Sequence, residues 1–160
     1  MSELHPSTKV MLDRYPKSVF EFGCGEGRNL QLLKDRRGND IEERERKFNL
    51  FGIDINPNAI KKGQDNELNV LVGDESYLNK IKTDSFDIAL CYSVLNHIPG
   101  DITSIIKNLK RISKYVILYE IIDVRGSNQF YHDYVALGFT MRRFKNLETY
   151  AVFDYIRGEA

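Results

Sequence analysis

Residues 21–27 read Glu-Phe-Gly-Cys-Gly-Glu-Gly. Gly23, Gly25 and Gly27 follow a β-rich run at 17–22 and precede a helical pattern at 28–37. Glycines at a strand-to-helix turn let backbone amides approach a ligand closely. That alone suits any nucleotide. The acid two residues before the first glycine narrows the choice, because a carboxylate at Glu21 repels a pyrophosphate and attracts a cationic amino group. The spacing agrees. A dinucleotide fingerprint runs G-x-G-x-x-G. Here the third glycine comes one residue early, and Arg28 stands where that fingerprint wants glycine.

Two more acids end strand-like segments. Asp54 closes LFGID, just before Ile55, Asn56 and Pro57. A carboxylate there can accept hydrogen bonds from both hydroxyls of a ribose. It also sits at the start of a helix that Asn56 caps and Pro57 opens. Asp74 closes VLVGD and is followed by Glu75 and Ser76. Turn chemistry alone also favours Asp at that place. Taken together, the three acids end three successive strands on one sheet edge. Ligands of open α/β sheets bind at the carboxyl ends of the strands.

With these acids, the run EFGCGEGRNL at 21–30 resembles the first motif of the class I S-adenosylmethionine-dependent methyltransferase family, an acid followed by x-G-x-G-x-G. The run is similar to the version in small-molecule members, and the resemblance extends from 17 to 156. It implies a Rossmann-like fold, S-adenosylmethionine as cofactor and S-adenosylhomocysteine as product. The cofactor carries an α-ammonium and a sulfonium but no phosphate, which is the chemistry that Glu21 favours. The resemblance also implies roles. Glu21 engages the methionine amino group. Gly23, Cys24 and Gly25 line the methionine moiety, and Asn29 contacts it from the helix start. Asp54 holds the ribose, Ile55 packs on the adenine, and Asp74 receives the adenine amino group with Glu75 on the same edge. The implied activity is methyl transfer to an unnamed acceptor, read as a small molecule.

The fourth strand-like run, FDIALC at 86–91, leads into Tyr92-Ser93-Val94-Leu95-Asn96-His97-Ile98-Pro99. The stretch is similar to a V-L-x-H-I-P segment of the family's small-molecule members, which places it beside the sulfonium. The sulfonium methyl is already a strong electrophile, so alignment of the acceptor supplies most of the acceleration. A base helps where the acceptor is a hydroxyl or a protonated amine. His97 is the candidate base, since its ordinary pKa lies near neutrality. A histidine packed under the loop fits the same position, and both readings stay open. Tyr92 and Asn96 are candidates to orient a substrate or to cap the next helix. Cys91 is grouped with the cofactor-binding residues. Glu120, Asp123, Tyr131 and His132 follow on the same edge, as substrate-side or surface residues.

The elements that must position these residues alternate. Strands are expected at 17–22, 50–53, 68–72, 86–91, 115–122, 139–144 and 150–155. Helices are expected at 28–37, 57–64, 101–113 and 127–137, with a short one at 77–81. The expected fold is α/β: a doubly wound, mostly parallel sheet of about seven strands that ends in an antiparallel hairpin. The hairpin follows from the short connector at 145–149. The 160 residues fit one domain, 1–160. The charged segment 35–47 reads as a solvated helix end and loop.

Composition excludes several classes. Lys plus Arg and Asp plus Glu are each 23, so no global charge draws the chain to nucleic acid or anionic lipid. No segment approaches the roughly 20 apolar residues of a membrane span, and residues 1–9 lack the apolar run of a signal peptide. The expected setting is cytoplasmic. Two cysteines make no disulfide framework, although Cys24 and Cys91 fall in neighbouring loops where a regulatory bridge is conceivable. The residues 91–94 lack the acid-or-Asn, Pro-Pro, aromatic pattern of methyltransferases that flip nucleobases. No cluster has metal-ligand spacing. The chain is minimal, with about sixteen residues before the first strand and no large insertion. That keeps a second class open: a non-catalytic cofactor-binding module, acting as partner subunit, sensor or homodimer. Another transferase using the same cofactor is a third.

Overall fold

The computed structural model describes residues 10, 16–37, 49–123, 129–144 and 149–158. Among these, one sheet holds the strands β1 (Ser18–Phe22), β2 (Asn49–Asp54), β3 (Val70–Val72), β4 (Phe86–Tyr92), β5 (Ser113–Ile121), β6 (Thr140–Arg142) and β7 (Tyr150–Ile156). The spatial order is β3-β2-β1-β4-β5-β7-β6. The pairs β1–β2, β1–β4, β2–β3 and β4–β5 are parallel. β7 runs antiparallel to both β5 and β6. This is the mostly parallel, hairpin-ended sheet expected from the sequence, with β7 inserted between β5 and β6. The register sets Phe22 level with Ile53 on one side and Cys91 on the other. The carboxyl ends of β1, β2 and β4 therefore form one edge.

Among the described residues the sheet is flanked by the helices α1 (Arg28–Arg37), α2 (Pro57–Asp65) and α3 (Thr103–Ile112). Asn56 caps α2 by accepting from the amides of Asn58 and Ala59, and Pro57 supplies a first-turn residue whose missing N–H has no helical partner to lose. Asp101 accepts the Thr103 amide at 2.8 Å at the start of α3. Apolar residues at helical spacing on α3, namely Ile105, Ile106, Leu109 and Ile112, are all buried against the sheet. Each such burial contributes roughly 1.5–3 kcal/mol.

Strand alternation splits the core in two. Phe20, Phe22, Ile53, Ala89, Cys91, Val116 and Leu118 pack with α3 on one face. Val19, Ile88, Leu90, Ile117 and Tyr119 pack with Leu30 and Leu33 of α1 and Ile60 of α2 on the other. Asp87 ties the start of β1 to β4: its carboxylate accepts the amides of Lys17 and Ser18, and its own amide donates to the Ser18 hydroxyl.

Several expectations change. The predicted helix at 127–137 is not seen: residues 129–133 are irregular and 134–138 form a turn that Gly138 closes at φ +84°. Residues 127 and 128 lie outside the described residues. Tyr134 and Phe139 fill the face that a helix would have covered, so packing there needs two aromatics rather than a helical stripe. The short helix predicted at 77–81 is a 3-10 helix at Glu75–Lys80. The strand predicted at 139–144 shrinks to β6, Thr140–Arg142. Most of the charged segment, from 38 on, and 145–148 of the hairpin connector lie outside the described residues. Cys24 and Cys91 are free thiols in the two opposite core faces, not facing loops, which removes the conjectured bridge.

Gly52 sits where α1 and the glycine turn meet the sheet. A methyl group there would lie 2.8 Å from both Cβ and Sγ of Cys24 and 2.9 Å from Leu30 Cδ1. Gly52→Ala is expected to destabilise the fold by about 1–3 kcal/mol, as overpacked cores do. Urea denaturation measures this; an unchanged midpoint would mean that the Cys24 turn yields without cost.

Candidate functional site

β1 delivers Glu21 to the sheet edge between Gly52 of β2 and Leu90 of β4. The carboxylate is 1% exposed. Its Oε1 accepts a hydrogen bond from Asn29 Nδ2 at 2.7 Å, while its Oε2 has no partner among the described residues. A buried, unpartnered carboxylate oxygen is costly unless something arrives to pair with it. Burial pushes the Glu21 pKa up to about 8; the Asn29 bond works against this and the negative charge of Asp54 adds to it.

The turn that follows is held open by backbone geometry. Gly23, Gly25 and Gly27 have φ of +72°, +55° and +81°. A Cβ on Gly23 would meet Val94 Cγ2 at 2.3 Å, whereas one on Gly25 would meet nothing within 4 Å among the described residues. Gly25 thus faces open space. The amides of Gly23 and Cys24 both donate to Ile53 O, at 2.8 and 3.0 Å. The Gly25 amide donates to Asp54 Oδ2 at 2.8 Å.

An open cavity of about 680 Å³ lies beside this turn. Glu21, Gly23, Cys24, Gly25, Asn29 and Tyr92 all line it, so six of the residues singled out from the sequence come together there. Arg28 lines it too. The sequence reading used Arg28 only to reject a dinucleotide fingerprint. Its place as first residue of α1, directly after the turn, was the available signal.

Other candidates lie elsewhere. Asp54 ends β2, half-buried, with Oδ1 accepting the Asn56 amide at 2.8 Å. Ile55 follows at 75% exposure. Asp74 accepts from the amide and hydroxyl of Ser76, at 3.0 and 2.6 Å, and these bonds hold its carboxyl below the usual range. Glu75 begins the 3-10 helix beside it and is exposed. The Gly73 amide donates to Asp54 O, which ties the ends of β2 and β3 together. These four residues stand on the outer part of the same edge, outside the cavity.

Cys91 and Asn96 are fully buried. The Cys91 thiol, raised by burial and by Glu120, sits inside β4 against Glu120. The buried Cys24 thiol is pushed up to about 12 by burial and by the charges of Glu21 and Asp54. Neither thiol is a ready nucleophile. The Asn96 side chain is fully buried and its Nδ2 has no partner among the described residues. His97 is exposed, at the end of the 3-10 turn Leu95–His97. Tyr92 stacks on Tyr119 at 4.6 Å, and Tyr119 on Tyr150 at 4.9 Å, so Tyr92 forms a wall of the cavity. Among the later residues, Asp123 and Tyr131 are exposed, while Glu120 and His132 are buried.

Comparison with known proteins gives the family and the fold. A family model described as a methyltransferase domain matches residues 20–114. No curated protein matches the sequence. Solved structures do. A TehB-like SAM-dependent methyltransferase from Corynebacterium glutamicum matches with a TM-score of 0.69 and 16% identity, over 97% of this chain and 89% of that one. A SAM-dependent methyltransferase from Archaeoglobus fulgidus matches with a TM-score of 0.55 and 22% identity, over 71% of this chain. This chain covers about half, 51%, of that protein's length. The Haloferax volcanii complex of the Trm112 methyltransferase activator with a methyltransferase matches with a TM-score of 0.54 and 21% identity, over 72% of this chain and 52% of that one. The chain belongs to the methyltransferase-domain family, a Rossmann-like class whose cofactor is S-adenosylmethionine.

That cofactor's ammonium fits the unpaired Glu21 oxygen, and its chain fits the open side of Gly25. A pH dependence follows. With its pKa near 8, Glu21 is mostly protonated at pH 7 in the free protein, and pairing with an ammonium requires the ionised form. Binding of S-adenosylhomocysteine should release a proton at pH 7, and affinity should rise from pH 6 to 8. Calorimetry in two buffers of different ionisation enthalpy reads the proton count. Glu21→Gln should abolish the release, and an equal release in that variant would assign the proton to another group.

Proposed function

We propose that this chain binds S-adenosylmethionine across the carboxyl edge of β1, β2 and β3 and transfers its methyl group to a small molecule. The observation that carries the reading is Glu21: a buried carboxylate with one oxygen unpaired, beside a turn of left-handed glycines. A phosphate disfavours the ionised form of Glu21, whereas an ammonium favours it and pairs with the open oxygen.

When bound, the cofactor supplies a methyl group on a positively charged sulfur. The chain's own residues do the rest. Glu21 takes the ammonium, steadied by Asn29. Arg28 offers a cation to the carboxylate of the same amino-acid head. Gly23, Cys24 and Gly25 present backbone to the methionine chain, and Gly25 leaves room for it. Asp54 keeps a free lone pair on each oxygen beyond its bonds to Gly25 and Asn56, and these accept the ribose hydroxyls. Ile55 covers the adenine, whose amino group meets Asp74 and Glu75. The loop at 93–98 aligns the acceptor, and His97 takes its proton. Tyr92 and the backbone around Cys91 close the methionine end. The small-molecule acceptor is supported only by the resemblance of residues 94–99 to the V-L-x-H-I-P stretch of small-molecule members. The setting is read as cytoplasmic; among the described residues no helix is long and apolar enough to cross a membrane.

A second reading is a cofactor-binding subunit that needs a partner. The edge strand β3 favours it, because Leu71 and Val72 are exposed there and apolar edges invite pairing. The Haloferax volcanii match is a complex of a methyltransferase with the Trm112 methyltransferase activator.

Titration calorimetry with S-adenosylhomocysteine, run beside NAD, is the test. Micromolar binding of the former alone is expected. Glu21→Ala and Asp54→Ala should each weaken it by about 1–3 kcal/mol, the worth of a charged hydrogen bond. Unchanged affinity in both variants would remove the site assignment. His97→Ala should lower turnover in an acceptor screen with tritiated methyl donor while leaving cofactor affinity within about twofold, the small effect of a residue away from the ligand. Cofactor binding without transfer to any acceptor would favour the partner-subunit reading.

A further inference from the structure

The loop at 93–98 has no long element of its own, yet it is held at nearly every peptide. It leaves β4 through Ser93, a non-glycine residue at φ +53° whose amide donates to Tyr119 O at 2.7 Å. Three consecutive amides then converge on one side chain. Glu120 Oε1 accepts from Val94 and Leu95, both at 3.0 Å, and Glu120 Oε2 accepts from Asn96 at 3.2 Å. The Cys91 thiol bonds the same carboxylate from β4. The loop's carbonyls are held as well. His132 Nε2 lies 2.9 Å from Leu95 O and 3.1 Å from Ile98 O, so it carries the proton and donates to both. The Phe130 amide donates to Asn96 O at 2.7 Å.

Glu120 is fully buried. A carboxylate is the only side chain that offers acceptors alone at both branches of the fork. Glutamine fills the same volume but turns one branch into a donor, which faces at least one of the three amides with another N–H. The shape of the side chain therefore does not explain the residue type; the three amides do.

The loop transmits its position to the glycine turn. Val94 packs so closely on Gly23 that a Cβ there would lie 2.3 Å from Val94 Cγ2 and 2.7 Å from Cγ1. Moving Val94 changes the wall of the methionine end.

We propose that Glu120 is a positioning residue: by accepting the amides of Val94, Leu95 and Asn96 it fixes the loop after β4 and, through Val94 on Gly23, sets the shape of the donor site. The assignment of that site rests on the methyltransferase reading above; the clamp on the loop does not.

The test starts with the unaltered protein. Amide hydrogen exchange by NMR should find Val94, Leu95 and Asn96 as slow as the interior of β4, although they lie in a loop. Exchange as fast as in an exposed loop would overturn the proposal. In Glu120→Gln the amides of β1 and β4 should keep their protection, while one or more of the three loop amides exchanges at least about tenfold faster, as expected when a buried donor loses its acceptor. S-adenosylhomocysteine affinity should fall about fivefold, an indirect effect that a purely structural residue would not produce in a folded variant. Val94→Ala should keep the loop's protection, weaken binding by itself, and add nothing in the Glu120→Gln background. Additive losses would mean that Glu120 does not act through Val94. If Glu120→Gln fails to fold, Val94→Ala decides the coupling alone: unchanged affinity overturns it. If the unaltered protein binds no S-adenosylhomocysteine, the donor-site reading fails, and the exchange data still decide whether Glu120 holds the loop.

Discussion

The carbonyl of Ile53, at the end of β2, accepts two amides from the neighbouring turn, those of Gly23 and Cys24. One residue further on, the Asp54 carboxylate takes the amide of Gly25. These three bonds staple the glycine turn across the end of a strand that it does not belong to. The rest of the edge depends on that staple. It forces left-handed backbone at Gly23 and Gly25, which only glycine adopts freely. It carries Cys24 back over Gly52, where the missing side chain leaves room for it. It starts α1 directly beyond the turn, so that Asn29 reaches back to Glu21 and Arg28 stands at the cavity.

Two buried carboxylates serve this edge from opposite faces of the sheet, and their surroundings distinguish them. Burial raises both. Glu120 is relieved by three backbone amides and settles near 7, whereas Glu21 has one amide-type donor and stands near 8. Glu120 has its hydrogen-bonding capacity taken up by the chain itself. Glu21 keeps one oxygen unused. The same chemical group is a fully bonded brace in one place and an open acceptor in the other, decided by how many N–H groups the backbone brings to it.

Much of this was legible in the residues. Apolar spacing fixed the limits of α1 and the buried face of α3, and Asn56-Pro57 marked the start of α2. The three acids end adjacent strands because topology, which period and connector length reveal, leaves them nowhere else to go. The helix expected at 127–137 gives way, among the described residues, to an irregular stretch and a turn before Gly138, with Tyr134 packed in the core. Asn96 stood as a candidate to orient a substrate or to cap the next helix, and its burial carries no mark in the sequence. Here the loop's amides are pulled inward by Glu120, and that turns Asn96 into the core. No local pattern announces such an inward pull. It depends on residues 24 to 26 positions apart meeting across two strands.

The ladder of Tyr92, Tyr119 and Tyr150 has a practical side. The chain contains nine tyrosines and no tryptophan, so its ultraviolet emission and near-ultraviolet dichroism come from phenol rings without an indole to mask them. Three of those rings lie face to face at under 5 Å, the last pair only 8° from parallel, and the first of them borders the cavity. Rings at that separation share their excitation, so the molecule carries a built-in optical gauge at the mouth of its own site, readable without a label.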